Sequence, residues 1–350
     1  MKKSIVLTGG GTAGHIMPNL ALLPELKKHF DKIYYLGSTN SMEEKIIEKY
    51  KEIEFIAIPT TKFIRKLTIK NLAIPFKLIK GVYQTKKILK KLKPNVIFSK
   101  GGFVSVPVAI AGKKCNIPVI SHESDLTMGL ANKIILKYAD KLCTTFEDTC
   151  KNNKKCICTG TPLREQIFNG NKCNIINKIS YNKNKPFVLF FGGSLGSKNI
   201  NKLVESSVDK LLEKYNVIHI VGKNNLNNIN KKGYFSIEFV DNIEDYFDLA
   251  DIVVCRGGAN SLFELLALCK PMLIIPLSKS QSRGDQIENA EYFKRKNLSY
   301  VLREENMTTN TLLSSLENIT KNKEKMLTKM KQENIKNANQ KIVDIILKNI

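Results

Sequence analysis

Three glycine-rich runs stand where a strand would hand over to a helix: Gly9-Gly10-Gly11-Thr12-Ala13-Gly14, Gly192-Gly193-Ser194-Leu195-Gly196-Ser197 and Arg256-Gly257-Gly258-Ala259-Asn260-Ser261. Glycine lets backbone approach a ligand closely, and a helix start turns its N–H groups toward an anion. One such turn says little, but three suit a diphosphate-bearing ligand in a cleft between domains. His15 directly follows the first turn, which recommends it as general base or positioning group, although lone histidines are more often structural. Glu123 and Asp125 follow an apolar run and so stand at the C-terminal end of a strand, where α/β proteins bind ligands; they rival His15 as base. Glu264 fits two readings. Ser261-x-x-Glu264 matches a capping box, while a carboxylate one turn into a helix whose start holds phosphates suits the two hydroxyls of a ribose.

Other chemistries lose ground. Gly9-x-Gly11-x-x-Gly14 could be a dinucleotide fingerprint, but Leu36-Gly37-Ser38 stands where an acidic residue would hold the ribose. No Asp-x-Asp pair is placed beside the turns to chelate a metal, and no Walker lysine-serine is present. Diphosphate charge then falls to helix dipoles, backbone N–H groups and Arg164, and metal independence is expected. The eight cysteines form no CxxC pair and have no histidine partners at metal spacing, so reduced, buried thiols are expected.

These residues need two scaffolds. At 350 residues, 43% of them apolar, the chain is long enough for two domains with packed cores. Short β-branched runs alternate with helical patterns, the signature of parallel sheets built from βα units. Predicted strands are 4–7, 32–36, 54–58, 96–99, 118–121 and 141–144 in the first half. In the second they are 187–191, 217–221, 236–240, 252–255 and 272–275. The helix after the first turn is expected to begin near Pro18. The Asn- and Lys-rich stretch 169–185 reads as an exposed crossover, and the expected domains are 1–163 and 164–332. The helix 333–350 is expected to join the first domain. No apolar stretch approaches the roughly 20 residues of a bilayer span, so any membrane contact is expected to be peripheral.

The formal charge is +24, and residues 1–160 carry 28 Lys+Arg against 12 Asp+Glu. Between Glu54 and Glu123 there is no acidic residue, while Lys62, Arg65, Lys66, Lys70, Lys77, Lys80, Lys86, Lys87, Lys90, Lys91 and Lys93 fall there. Apolar Leu67, Ile69, Leu72, Ile74, Phe76, Leu78 and Ile79 interleave with them, and Pro75 is expected to divide the segment. A basic amphipathic segment of this type suits an anionic membrane surface; an ordinary core-facing helix with a lysine outer face is the plain alternative.

In combination, GGGTAGH (9–15), SKGGFVSVP (99–107), HESDLTMGLANK (122–133), GTPLR (160–164), GGSLGS (192–197), EFVDNI (238–243), CRGGANSLFE (255–264) and DQIENA (285–290) are highly specific. Through them the chain resembles, end to end, the MurG family of UDP-GlcNAc-dependent transferases, which act on undecaprenyl-diphosphate-linked muramoyl-pentapeptide. The resemblance implies a GT-B fold, two Rossmann-like parallel-sheet domains facing a deep cleft. It implies an inverting transfer in peptidoglycan synthesis, in which the acceptor's C4 hydroxyl displaces UDP. UDP-GlcNAc enters as donor substrate, with no cofactor and no metal.

By resemblance, Thr12, Ala13 and Gly14 line the sugar and acceptor-phosphate region, and His15 matches a histidine needed for activity. Arg164 and Ser194 contact the uridine diphosphate, Val240 the uracil, Ala259, Asn260, Ser261 and Leu262 the phosphates, and Glu264 the ribose. Gln286 reads the sugar hydroxyls. Peripheral attachment to the anionic cytoplasmic face of the cell membrane follows, as does assembly with other cell-wall enzymes; nucleic acid becomes a minor alternative. The chain departs from the family pattern at Ala13 for a glycine, Asp125 for an asparagine and Asp285 for a glutamine. Asp125 bears on the sugar contact and so on the preference for GlcNAc. A diacylglycerol-type lipid glycosyltransferase and a UDP-GlcNAc 2-epimerase are the rival enzymes.

Overall fold

The computed structural model describes residues 3–60, 74–151, 153–193, 196–335 and 338–350. Ser194 and the stretch 61–73, with Lys62, Arg65, Lys66, Lys70 and the apolar Leu67, Ile69 and Leu72, lie outside the described residues. The chain forms two units, Met1–Arg164 together with Lys336–Ile350, and Glu165–Ile335.

The first unit carries strands β1 (Ser4–Thr8), β2 (Lys32–Ser38), β3 (Ile53–Ile58), β4 (Val96–Ser99), β5 (Val119–Glu123), β6 (Lys141–Thr144) and β7 (Cys156–Cys158). They lie in the order β3-β2-β1-β4-β5-β6-β7, every neighbouring pair parallel. Its helices are α1 (Ala13–Ala21), α2 (Leu23–Leu26), α3 (Met42–Ile47), α4 (Ile74–Leu92), α5 (Ser105–Lys114) and α6 (Leu130–Ile135). Parallel strands covered on both faces need apolar side chains on both, which is why all five residues of β1 are buried and its sequence shows no alternation.

The second unit carries β8 (Phe187–Phe191), β9 (Asn216–Ile220), β10 (Tyr234–Ile237), β11 (Ile252–Cys255), β12 (Met272–Ile274) and β13 (Tyr300–Val301). Their order is β10-β9-β8-β11-β12-β13, again with parallel neighbours. Helices α7 (Cys173–Ile176), α8 (Lys198–Lys214), α9 (Ile243–Leu249), α10 (Ala259–Ala267), α11 (Asp285–Arg295), α12 (Thr309–Lys321) and α13 (Lys323–Gln332) complete it.

The last helix, α14 (Ala338–Leu347), belongs to the first unit. Its Ile342, Val343 and Ile346 join the core formed by Ile5, Leu7, Leu22 and Phe98. Asn339 fixes it in place, donating to the carbonyls of Ala21 and Leu163 at 3.0 and 2.8 Å and accepting from the Leu163 N–H at 3.0 Å.

Several expectations need correction. Helix α1 begins at Ala13, not near Pro18, which is its sixth residue; the turn passes straight into the helix. Strand β10 covers Tyr234–Ile237, so Val240 lies beyond it in the loop to α9. Strands β7 and β13 were not foreseen, because runs of 3 and 2 residues carry too little pattern. Cys150 and Cys156 form a disulfide, their Cα atoms 5.3 Å apart. A tight turn at Glu147–Cys150 and the start of β7 bring them together, which spacing rules for metal or redox motifs do not register. Of the others, Cys143 and Cys255 are buried and Cys173 is exposed.

Candidate functional site

In both sheets the chain reverses direction of growth between two adjacent strands, β1 and β4 in the first, β8 and β11 in the second. Such switch points are where open α/β sheets leave a crevice for ligands. Thr8 pairs with Ser99, so the run Gly9–Gly14 and the run Lys100–Gly102 leave the sheet side by side. Phe191 pairs with Cys255, which sets the other two glycine turns beside each other in the same way.

The first turn is tightly determined. Gly11 has φ +86°, a left-handed conformation that favours glycine. A Cβ on Gly10 would lie 2.6 Å from the Glu43 carboxylate. That carboxylate, 1% exposed, accepts from the N–H groups of Gly11 and Ser38 at 3.3 and 3.1 Å. The turn thus carries its own anion, which the sequence reading did not anticipate. Thr12 and Gly14 are exposed, and Ala13 and His15 half-buried. Nδ1 of His15 lies 3.0 Å from the carbonyl oxygen of Lys100. A carbonyl can only accept, so Nδ1 carries the proton and Nε2 holds the lone pair, the tautomer a general base requires.

Glu123 sits at the end of β5 and is buried. Its oxygens accept from the Asp125 N–H at 3.0 Å, the Gly129 N–H at 3.0 Å and the Asn132 amide at 2.9 Å. With three internal donors it clamps the loop that precedes α6. Asp125 lies in that loop, half-buried, and its carbonyl and that of Leu126 accept from Thr149 at 3.5 and 2.8 Å.

Lys100, which the sequence reading did not single out, is 1% exposed, with Nζ 2.6 Å from Nδ1 of His122 and 2.7 Å from Oγ of Ser124. Burial pushes its ammonium down to about 7, against the pull of the Glu123 and Asp125 carboxylates. His122 is held well below its usual value by its own burial and then by the lysine charge. The first unit therefore brings His15, Glu123 and Asp125 to one switch point, joined through Lys100.

In the second unit, Gly196 has φ +75°, and a Cβ there would lie 2.2 Å from the Val221 carbonyl oxygen. Ser197 caps α8, accepting from the Ile200 N–H. The third turn enters α10 at Ala259 with Gly258 as N-cap and no side-chain cap. Ser261 is thus the third residue of the helix, and the capping-box reading of Ser261 and Glu264 is ruled out. Ala259, Asn260 and Ser261 form the first turn of α10, at the positive end of its dipole, followed by buried Leu262. Glu264 stands one turn further on. Gln286, second residue of α11, accepts from the Leu277 N–H at 3.1 Å through Oε1.

Arg256 opens the third turn, yet its guanidinium is committed within the protein. Nη1 donates to Ile275 at 3.1 Å; Nη2 donates to Ser197 at 2.5 Å and to Glu304 at 2.6 Å. Burial alone would raise the Glu304 carboxyl, but bonds from Asn199 and Arg256 hold it below the usual range. Both glycine turns of the second unit are tied together by this pair. Arg164 is the final residue of the first unit's main segment. Among the described residues, no three His, Cys, Asp or Glu side chains gather as a metal would need.

Residues 5–144 match the glycosyltransferase family 28 N-terminal domain and residues 187–346 the family 28 C-terminal domain. The chain is 48% identical over 351 residues, covering 99% of both sequences, to a UDP-N-acetylglucosamine--N-acetylmuramyl-(pentapeptide) pyrophosphoryl-undecaprenol N-acetylglucosamine transferase of Clostridium botulinum. A protein of that name from Clostridium tetani is 46% identical, with 99% of this chain and 98% of the relative covered. Among solved structures, MurG of Acinetobacter baumannii superposes with a TM-score of 0.77 at 24% identity, with 99% of each chain covered. The glycosyltransferase of kitacinnamycin follows at 0.74 and 13% identity; these two likenesses speak for the fold alone.

Proposed function

Since the chain belongs to glycosyltransferase family 28, we propose that it transfers N-acetylglucosamine from UDP-GlcNAc to the C4 hydroxyl of lipid-linked N-acetylmuramyl-pentapeptide. The observation that carries this reading is identity of 46% and 48% over essentially full length to transferases named for that reaction. A paired set of glycine turns at both switch points agrees with it.

The reaction is a single displacement. Nε2 of His15 takes the C4 hydroxyl proton as the oxygen attacks the anomeric carbon, the bond from that carbon to UDP breaks, and the configuration inverts. His15 is preferred to Glu123, whose oxygens serve three internal donors. It is preferred to Asp125 because its tautomer is already fixed by the Lys100 carbonyl. Thr12, Ala13 and Gly14 line the acceptor side. On the donor side, α10 offers its first N–H groups and dipole to the diphosphate from Ala259 to Leu262, with Ser194 and Arg164 as further contacts. Val240 faces the uracil, Glu264 accepts from the ribose hydroxyls, and Oε1 of Gln286, held by Leu277, turns the amide toward the sugar as donor.

The acceptor lipid brings the enzyme to the inner leaflet of the cell membrane, where α4 supplies a peripheral contact. Phe76, Ile79 and Tyr83 are 76%, 66% and 59% exposed on it, beside exposed Lys77, Lys80, Lys87, Lys90 and Lys91. Among the described residues no helix is long and apolar enough to cross a membrane.

The test is to incubate the protein with UDP-GlcNAc and the lipid-linked muramyl acceptor, with diacylglycerol in a parallel reaction. Disaccharide on the muramyl lipid is expected. Hydrolysis or epimerisation of the donor without that product, or glycosylation of diacylglycerol instead, overturns the reading.

A further inference from the structure

The side chain of Lys100 takes no part in the displacement just described, yet it is among the largest fully buried side chains of the protein. An ammonium at that depth is costly unless charges compensate it. Its two hydrogen-bond partners, Nδ1 of His122 and Oγ of Ser124, are neutral acceptors. Nε2 of His122 donates to the Gly160 carbonyl at 2.9 Å, which leaves Nδ1 with a lone pair for the lysine. The charges that favour the ammonium are the carboxylates of Glu123 and Asp125. Glu123 is shared among the Asp125 N–H, the Gly129 N–H and the Asn132 amide. Asp125 adds a second carboxylate to the same short loop.

We propose that Lys100 is a positioning residue for the transfer, the internal counter-charge that allows Asp125 to occupy that place. The proposal rests on the reading of this switch point as the acceptor and sugar side of the reaction. One residue then serves two parts of the site. Its carbonyl orients the imidazole of His15, and its Nζ binds Ser124, the neighbour of Asp125. The groups that set its charge state are His122, Glu123, Asp125 and Cys143, with His15 attached through the backbone. Loss of the lysine charge takes a favourable positive charge from the two carboxylates of this loop, and the loop shifts; loss of the Asp125 charge leaves a buried ammonium with one carboxylate fewer. Once one charge is gone, loss of the other adds little.

The experiment is a double-mutant cycle on the full chain with Lys100→Met, Asp125→Asn and the pair. Each single variant is expected to lower kcat about tenfold, and the pair to lie within about threefold of the weaker single, far from the hundredfold of independent losses. Affinity for UDP is expected to change by less than about twofold in all of them, because the nucleotide contacts proposed above lie outside this loop. Lys100→Gln keeps an N–H donor without the charge and is expected to behave as Lys100→Met; it also serves where the methionine variant does not fold. A second readout is pH: the ratio of wild-type to Lys100→Gln kcat falls as the lysine loses its proton and both side chains become neutral. Multiplying losses in the pair, wild-type kcat in Lys100→Met, or full activity in Lys100→Gln at every pH overturns the proposal. Absence of product from the wild type defeats the transfer reading instead. The cycle is then read from urea midpoints, where coupling of the two positions supports the counter-charge and additivity sinks it.

Discussion

At the scale of single residues, two groups at the first switch point differ in what their titration does. The Lys100 carbonyl accepts from Nδ1 of His15 and so leaves the lone pair on Nε2, and His15→Ala removes the proton acceptor proposed for the transfer. Turnover is expected to fall by about a hundredfold or more, the usual range for general bases, with UDP affinity from calorimetry unchanged. An equal loss of UDP affinity would make His15 structural. Lys100 acts on stability. Its folded value of about 7 lies below its ordinary 10.5, so between the two the unfolded chain binds more protons and stability rises with pH. Below about 7 both states are protonated and the burial cost is felt in full. Relative to Lys100→Met, the unfolding free energy of the wild type is expected to gain up to about 1.4 kcal/mol per pH unit above 7. Urea titrations at pH 6, 7.5 and 9 check this, and a difference independent of pH contradicts a lysine that gives up its proton more readily in the folded chain.

At the scale of elements, what was legible in the sequence was whatever depends on near neighbours. Runs 96–99, 141–144, 187–191 and 252–255 are strands with those ends, since each is a short apolar stretch closed by turn residues. The start of α1 was missed because Pro18 reads as a helix opener, although its fixed φ is compatible with a later position. Glu43, Lys100 and Glu304 carry no local signal: each matters through partners 5 to 105 positions away. The position of Ser197 likewise became informative only beside Arg256. Ser197→Ala deletes both the cap of α8 and one bond to the buried guanidinium, so a loss of about 1–3 kcal/mol is expected in thermal unfolding; a change below about 0.5 kcal/mol would show that neither contact matters.

Helix α4 was legible as basic and amphipathic, and its inner face of Val82, Thr85 and Leu89 is the ordinary core-facing one. Its N-terminal half adds Phe76, Ile79 and Tyr83 to the outer face, with Lys87 Nζ 4.6 Å from the Tyr83 ring centre. Pro75 is the second residue of α4, where a missing N–H costs nothing; the segment before it, on the other side of the expected division, lies outside the described residues. Flotation with vesicles containing anionic lipid should recover the wild type and lose Phe76→Ser/Ile79→Ser/Tyr83→Ser. Binding to neutral vesicles at equal strength, or no response to salt, contradicts an electrostatic contact worth about 1 kcal/mol per lysine.

At the scale of the whole molecule, the two units differ in how the chain completes them. Glu165–Ile335 is one continuous segment with its own six-stranded sheet. The first unit needs both ends of the chain, since α14 supplies Ile342, Val343 and Ile346 to its core and Asn339 to the carbonyls of Ala21 and Leu163. Removing 338–350 takes three large apolar side chains out of that core, each worth about 2–4 kcal/mol by analogy with truncation to alanine. That sum approaches the whole stability of an ordinary domain. A fragment 1–164 is therefore expected to be unfolded or molten, and a separately added 336–350 peptide to restore cooperative unfolding only at high concentration. The fragment 165–335 should fold alone and, carrying the turns at 192–197 and 256–264, bind UDP. At a UDP concentration about a hundred times Kd its unfolding free energy should rise by about 2.7 kcal/mol. A folded 165–335 fragment that UDP leaves unmoved would locate the nucleotide's essential contacts outside it, at Arg164 first.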